Sequence, residues 1–271
     1  MVTTSLRPVR SLSGSHCLIT GASSGIGAAL ARRLAQPAGR LTLCGRDPVR
    51  LDTISRECEA RGATVRILRC DVTDRDRLAS GIRDADDADP VDMVIANAGL
   101  GGADVIAPST GESAAAIART LDVNFLGVIN TVTPLLDRFV ARRNGSIGIV
   151  GSMMAFDGFP EAPGYCASKA AVRVWGHALR RSLKTKGISV TVVSPGFVAT
   201  PMSASLARRL PFVTDADNAA RRILDGMAKG KAEILFPWQL RAAVALGTLL
   251  PTGLADRVIQ AGTAILARQE R

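Results

Sequence analysis

The only tyrosine of the chain, Tyr165, is followed four residues later by Lys169 in the stretch APGYCASKAAVRVWG. Residues four apart share one face of an α-helix, so a helix here would bring the phenol and the ammonium together. A free phenol has a pKa of about 10, and a neighbouring ammonium lowers that pKa because it favours the phenolate. The pair is therefore a candidate for general acid–base chemistry. The alternative is a half-buried tyrosine and a solvated lysine on an ordinary helix.

A serine stands thirteen residues before this tyrosine, at the end of the apolar run SIGIVGS. If the run is a strand, Ser152 lies at its carboxyl end, which is where open α/β sheets bind their ligands. A hydroxyl group there can orient or polarise a substrate carbonyl. The alternative interpretation of Ser152 is a turn or helix cap.

A glycine-rich segment, TGASSGIGAALARRLA, directly follows the first predicted strand and opens a predicted helix. Its glycines are Gly21, Gly25 and Gly27, and their spacing is neither G-x-G-x-x-G nor that of a Walker loop. Glycines in such a turn let backbone N–H groups approach a pyrophosphate, which also meets the N-terminus of the helix. In this strand–turn–helix setting we favour a dinucleotide site over an ordinary turn.

The second and third predicted strands supply the residues expected at the adenosine end of a dinucleotide. Gly45 occupies the position of the acid that would bind the ribose of NAD, and Arg46 follows it with a charge that suits the 2′-phosphate of NADP. NADP(H) is therefore preferred over NAD(H), with Ser23 as a further hydroxyl contact to the phosphate. Asp71 and Val72 are placed to hold the adenine, although Asp71 is alternatively a helix cap.

The rest of the chain provides the elements that must position these residues. Near-continuous apolar runs alternate with helical patterns, which is typical of a parallel sheet covered on both faces. Asp47 and Pro48 mark one helix start, and a helix over Gly164–Lys186 ends at Gly187. We predict one doubly wound, Rossmann-type α/β domain of about seven strands spanning residues 1–271. The predicted strands are His16–Thr20, Leu41–Cys44, Thr64–Leu68, Met93–Ala96, Ser146–Val150, Ile188–Val193 and Glu233–Phe236.

The order of these motifs resembles that of the short-chain dehydrogenases/reductases. TGASSGIG, ANAG (Ala96–Gly99), DVNFLG (Asp122–Gly127), Ser152 and YCASK follow one another in the family's sequence. The resemblance is to the single-domain members and covers about residues 14–240. Two departures are mild: ANAG lacks a second asparagine that is frequent in the family, and Gly151 stands where another serine is frequent.

The resemblance implies hydride transfer between a nicotinamide and a carbonyl or carbinol carbon. Tyr165 would be the general acid/base, Lys169 its activator and ribose ligand, and Ser152 the residue that orients the carbonyl. Asn124 would complete a proton relay through water. These four residues are the predicted catalytic set. No metal site is expected, because the chain has no pattern of zinc ligands.

The resemblance also implies a cofactor-binding set. Asn97 and Gly99 would stabilise the sheet edge beside the adenine ribose, and the segment SPGFVATPM would meet the nicotinamide amide. The predicted cofactor-binding residues are Gly21, Ser23, Ser24, Gly25, Ile26, Gly27, Arg46, Asp71, Val72, Asn97, Ala98, Gly99, Tyr165, Lys169, Pro195, Gly196, Val198 and Thr200.

Substrate identity is expected to depend on the chain after Thr200. Residues 200–215 are predicted to form a lid, and apolar side chains nearby either line a pocket or pack in the core. A pocket of this composition favours an apolar substrate: a lipid-like, acyl or aromatic ketone, or the matching alcohol. The side chains are Met153, Met154, Phe156, Phe159 and Phe197.

Residues 237–271 are predicted to form an apolar helical tail. Packing against the domain or a subunit, covering the pocket, and peripheral contact with a membrane surface are all open interpretations. A membrane-spanning helix is not predicted, because the tail lacks an uninterrupted apolar stretch of about 20 residues.

Composition limits the remaining partners. The net charge of +10 comes mostly from scattered arginines, which we interpret as a compositional bias. Because only 4% of the residues are aromatic, nucleic acid is not expected as a partner. The chain has five cysteines without C-x-x-C spacing, and its N-terminus lacks the apolar core of a signal peptide. Both features predict a cytoplasmic protein, and peripheral contact of the tail with the inner face of the membrane is an open alternative. The resemblance implies a homodimer or homotetramer. The alternative function is a catalytically silent dinucleotide sensor or scaffold of the same fold.

Overall fold

The computed structural model describes residues 14–101, 112–204, 212–247, 250–254 and 256–257. The strands are β1 (His16–Thr20), β2 (Arg40–Gly45), β3 (Thr64–Arg69), β4 (Met93–Ala96), β5 (Gly145–Val150), β6 (Ile188–Pro195), β7 (Val198–Ala199), β8 (Thr214–Asp215) and β9 (Glu233–Phe236). Seven parallel strands form one sheet in the order β3-β2-β1-β4-β5-β6-β9, and two short strands, β7 and β8, form a separate parallel pair. The predicted doubly wound parallel sheet is confirmed.

Helices connect the strands and begin largely where the sequence predicts. The Asp47 side chain accepts the N–H of Arg50 at 3.0 Å and caps the second helix, with Pro48 in its first turn. The sixth helix gives way to a 3-10 turn at Lys184–Lys186 before Gly187, whose φ of 80° ends it. The helices are α1 (Gly25–Leu34), α2 (Pro48–Glu59), α3 (Arg75–Ala88), α4 (Ala114–Leu121), α5 (Gly127–Arg142), α6 (Pro163–Leu183), α7 (Ala216–Ala228) and α8 (Trp238–Gly247).

Two apolar cores lie on opposite faces of the sheet. Strand β1 shows the alternation: Cys17 and Ile19 belong to the core that contains α1, α2 and α7, whereas Leu18 belongs to the core of α3, α5 and α6. The strand order reverses between β1 and β4, because β2 follows β1 on one side and β5 follows β4 on the other. In such sheets the crevice at this reversal is the preferred place for a ligand.

The join between α4 and α5 is not a regular α-helix. Residues Asp122–Leu126 form a π-helical turn, and Asn124 within it is fully buried. A π turn adds one residue to the helical repeat and occurs frequently at functional sites. The extra residue changes which side chains of this segment face the sheet.

The predicted lid and tail fall partly outside the described residues. Of the lid, residues 205–211 are not described; the described part contains a 3-10 turn at Pro201–Ser203 and strand β8. Of the tail, α8 is described, and Trp238 at its start is 72% exposed. Among the described helices, none has the length and apolar character needed to cross a membrane.

Candidate active site

The glycine loop after β1 leaves the N-terminus of α1 open to an anion. Gly21 and Gly25 have φ values of 66° and 53°, which favour glycine, and a β-carbon at Gly21 would lie 2.9 Å from the Cα of Ala98. The first turn of α1 contains no acidic residue, and among the described contacts the Ser24 side chain makes no capping hydrogen bond. The turn therefore fits a pyrophosphate, which backbone N–H groups and the helix dipole would bind.

Thr20 ties this loop to the loop after β4. Its hydroxyl oxygen accepts the N–H groups of Asn97 at 3.1 Å and Ala98 at 3.3 Å. In return, the Asn97 amide donates to the carbonyls of Thr20 at 3.0 Å and Gly21 at 3.3 Å. Asn97 thus braces the glycine loop at the strand-order reversal. Sequence reasoning missed Thr20, although its place as the last residue of β1 was visible in the sequence.

Arg46 and Asp71 come together at the ends of β2 and β3. Arg46 Nη1 lies 3.3 Å from Asp71 Oδ2, and both residues line a cleft of about 420 Å³. Burial opposes ionisation of Asp71, but hydrogen bonds from Thr73 and the Arg46 charge hold its pKa below the usual value. Asp74 caps α3, so the alternative interpretation of Asp71 as the cap of that helix is wrong.

Tyr165, Lys169 and Ser152 meet at the carboxyl end of β5. Lys169 is only 5% exposed, and its Nζ donates to the carbonyl of Val150 at 3.3 Å and lies 5.7 Å from the centre of the Tyr165 ring. Ser152 Oγ accepts the N–H of Met154 at 3.1 Å, and the Ser152 hydroxyl lies beside the Tyr165 phenol, where it favours the phenolate as a hydrogen-bond donor. The solvated lysine of the alternative interpretation is therefore wrong, whereas Ser152 both caps a turn and contacts the tyrosine.

Burial dominates the electrostatics of this pair. It lowers the pKa of Lys169 to about 8, because the charged ammonium loses its hydration. Burial also raises the pKa of Tyr165, and the hydrogen bond from Ser152 offsets part of that rise. The sequence-based expectation of a lowered phenol pKa was wrong for the protein alone, since desolvation of the phenol outweighs the effect of Ser152.

Asn124 connects the π turn to the same cluster. Its Oδ1 accepts the N–H of Leu100 at 2.7 Å, and its Nδ2 donates to the Leu100 carbonyl at 3.2 Å and to Ser168 Oγ at 3.1 Å. Ser168 in turn donates to the carbonyl of Tyr165 at 2.7 Å. A β-carbon at Gly99 would lie 3.1 Å from Asn124 Oδ1 and 3.4 Å from Lys169 Nζ, so both side chains converge on this glycine.

The segment after β6 closes the other side of the crevice. Gly196 donates its N–H to the carbonyl of Phe236 at 2.7 Å, and a β-carbon at Gly25 would lie 3.0 Å from Thr200 Cγ2. A β-carbon at Gly101 would lie 2.8 Å from the sulfur of Met202 and 3.5 Å from the Tyr165 ring. The chain from Pro195 to Met202 therefore runs between the glycine loop and the tyrosine. Of the remaining predicted pocket residues, Met153 is buried in the core, whereas Met154, Phe156, Phe159 and Phe197 are half-buried.

The sheet topology and the open helix N-terminus at its reversal define a Rossmann-type nucleotide-binding protein. A family model described as short chain dehydrogenase matches residues 15–210, and the chain belongs to this family of oxidoreductases. A relative from Myxococcus xanthus, described as an uncharacterized oxidoreductase, is 35% identical over 240 residues, which cover 88% of this chain and 94% of the relative.

Two solved structures share the fold and most of the length. A short-chain dehydrogenase from Sphingobium yanoikuyae in complex with NADPH has a TM-score of 0.75 and 28% identity, covering 88% of this chain and 97% of its own. A 3-oxoacyl-[acyl-carrier protein] reductase from Brucella melitensis with bound NAD has a TM-score of 0.73 and 25% identity, and the match covers 85% of this chain and 91% of the reductase.

Proposed function

We propose that the protein is an NADP(H)-dependent oxidoreductase that reduces a carbonyl, or oxidises the matching alcohol, on an apolar substrate. The observation that carries this proposal is the convergence of Ser152 and the buried Lys169 on Tyr165, at the sheet end that also presents the glycine loop. Both solved relatives contain a nicotinamide dinucleotide, which supports the choice of cofactor class.

Different segments around the crevice would bind different parts of a dinucleotide. The glycine loop from Gly21 to Gly27 and the first turn of α1 would bind the pyrophosphate, with Ser23, Ser24 and Ile26 in the same turn. Asp71, Val72 and the Asn97–Gly99 segment would hold the adenosine, and the segment from Pro195 to Thr200 would meet the nicotinamide end. When bound, the nicotinamide supplies the chemistry of hydride donation and acceptance.

Tyr165 would transfer the proton that accompanies reduction. Its raised pKa keeps the phenol protonated at neutral pH, which is the form that donates to a developing alkoxide. Ser152, which lies beside the phenol, would orient the substrate oxygen. Both hydrogens of the Asn124 amide are used within the protein, so Asn124 can join a water relay only as an acceptor.

Deleting the phenol tests this chemistry. Tyr165→Phe is expected to lower kcat by about 10²–10⁴-fold, the usual contribution of a general acid. Its NADPH dissociation constant is expected to stay within about twofold of wild type, which serves as the folding control. The assay is a screen of straight-chain 2-alkanones and aryl ketones with NADPH. Retention of most of the turnover in this variant would exclude Tyr165 as the acid.

Arg46 supports the preference for NADP(H), because it lies beside Asp71 in the cleft and the preceding residue is glycine instead of an acid. Loss of a charge-assisted phosphate contact costs about 1.5–3 kcal/mol, so Arg46→Gln is expected to weaken NADPH binding roughly 10- to 150-fold. NADH binding should change little. Arg50→Gln is a matched control, since both arginine side chains are 63% exposed and each pairs with an aspartate. Equal affinity of the wild type for both cofactors would refute the 2′-phosphate assignment.

The side chains nearest the tyrosine support an apolar substrate. Met202 faces the same glycine as the Tyr165 ring and is 46% exposed. The ketone screen should therefore show turnover rising with chain length or with an aryl group. Tight NADPH binding without turnover of any ketone or alcohol would instead favour the silent sensor.

Two predictions about assembly complete the proposal. A homodimer or homotetramer is expected by resemblance to the family, and light scattering of the purified protein measures it. Peripheral membrane contact through the tail stays a prediction from its apolar sequence, and co-sedimentation with anionic phospholipid vesicles tests it.

A further inference from the structure

Helix α6 carries two more polar side chains on the face that holds the tyrosine and the lysine. Tyr165, Lys169, Arg173 and His177 follow one another at intervals of four residues, so they form one stripe along the helix. Arg173 and His177 both reach Glu233 on β9. The distances are 2.8 and 3.1 Å for the two Arg173 nitrogens and 3.2 Å for His177 Nε2.

Glu233 holds the Arg173 guanidinium in a fixed plane. The carboxylate is 15% exposed, and it also accepts the hydroxyl of Ser194 at 3.1 Å. Burial opposes its ionisation, but the arginine and its other partners hold the pKa of Glu233 below the usual value. A two-nitrogen contact with a carboxylate fixes the orientation of the guanidinium, which a lysine ammonium cannot reproduce.

The face of this guanidinium supports Phe156. Arg173 Cζ lies over the Phe156 ring at 4.0 Å from its centre, within the range of a cation–π contact. Phe156 ends the short turn that Ser152 begins: its N–H donates to the Met153 carbonyl at 3.3 Å, and the N–H of Ala155 donates to the Ser152 carbonyl at 3.1 Å. Fixing Phe156 therefore fixes the far end of the turn that presents the Ser152 hydroxyl.

The chain from β5 to Phe156 consequently meets α6 at three successive points. The Val150 carbonyl accepts from Lys169, the Ser152 hydroxyl lies beside the Tyr165 phenol, and Phe156 packs on Arg173. We propose that Arg173, held by Glu233, is a positioning residue that keeps the Ser152 turn in register with Tyr165. The expected effect of Arg173 on turnover rests on the proposed function, whereas its effect on the conformation of the Ser152 turn does not depend on that function.

Hydrogen exchange tests the effect on the turn without any substrate. Arg173→Lys keeps the charge but removes the planar group, so the amides of Met154 and Phe156 should exchange about tenfold faster in peptides covering residues 152–158. Glu233→Gln, which keeps the side-chain volume, should act in the same direction. Arg138→Lys is the matched control: that arginine also pairs with a buried carboxylate and is 30% exposed, against 28% for Arg173. Unchanged exchange in both test variants would overturn the proposal.

Kinetics with the ketone that the wild type reduces fastest tests the consequence for turnover. Arg173→Lys is expected to lower kcat/KM about tenfold while the NADPH dissociation constant stays within about twofold. Phe156→Leu should give a similar loss, and the double variant should lose no more than either single variant, because both changes break one contact. If the loss of kcat/KM in the double variant equals the product of the two single losses, Arg173 acts through a contact other than Phe156. A wild type without turnover would refute the proposed function and leave the exchange result to decide this inference.

Discussion

The buried ammonium of Lys169 should make the folded protein less stable than it would be with an apolar side chain at this position. Burial lowers the pKa of Lys169 from 10.5 to about 8. At 1.36 kcal/mol per pKa unit, this difference corresponds to roughly 3 kcal/mol of destabilisation while the lysine is charged in both states. Lys169→Met has nearly the same length and removes the charge. It is therefore expected to raise the free energy of unfolding of the cofactor-free protein by up to about 3 kcal/mol at neutral pH.

The pH dependence separates this effect from packing. Between the folded pKa of about 8 and the ordinary value of 10.5, the unfolded chain binds more protons at this lysine than the folded protein does. Stability of the wild type therefore rises with pH over that window, and the penalty of the charge fades. The advantage of Lys169→Met should be about 2 kcal/mol smaller at pH 9.5 than at pH 7. Tyr165 and the buried cysteines titrate in both proteins, so their contributions largely cancel in the difference.

Urea unfolding followed by tryptophan fluorescence, at several pH values between 7 and 9.5, measures this difference. Lys184→Met is the control, because Lys184 is an exposed lysine directly after the same helix, and its substitution should leave the stability near wild type at each pH. Lys169→Met should also lose turnover, as expected for a residue kept for function at a cost in stability. A stability difference between Lys169→Met and wild type that is the same at pH 7 and 9.5 would refute the desolvation argument.

Three further substitutions test the supports of the site. Thr20→Val should lower the free energy of unfolding in urea by about 1–3 kcal/mol and weaken NADPH binding, because two backbone N–H groups lose their acceptor. Gly27→Ala should weaken NADPH binding by more than about tenfold in a fluorescence titration, because the new β-carbon would lie 2.2 Å from the Gly21 carbonyl oxygen and must displace the loop. Gly247→Ala is the control, because no described atom lies within contact distance of a β-carbon there. Asp86→Asn should lower stability by ~3 kcal/mol in urea, because its buried carboxylate binds two arginines, and an unchanged midpoint would contradict that pairing.

The strands and the glycine loop could be predicted because their signals are local. Apolar runs fixed the seven strands, and Asp47 with Pro48 marked a helix start that the structure places at the same residue. The π turn around Asn124 could not be predicted, because its sequence has an ordinary helical pattern and the extra residue is stabilised by tertiary contacts with Leu100 and Ser168. The raised pKa of Tyr165 was equally out of reach, since the extent of burial depends on the whole fold.

The stripe on α6 shows that residue spacing along a helix does not reveal the partners of its side chains in the folded protein. Intervals of four residues place Tyr165, Lys169, Arg173 and His177 on one face, and the first two suggested chemistry because an ammonium beside a phenol suits proton transfer. The other two have an equally regular spacing, but their partner, Glu233, lies 60 residues beyond Arg173 on the edge strand of the sheet. A pair of basic residues on a helix is ordinarily a solvated face, and only the pairing of β9 with β6 brings a carboxylate to it. The support of the Ser152 turn thus depends on the order of the strands in the sheet. A substitution in β9 should therefore alter the conformation of the turn at Ser152, although the two are far apart in the chain.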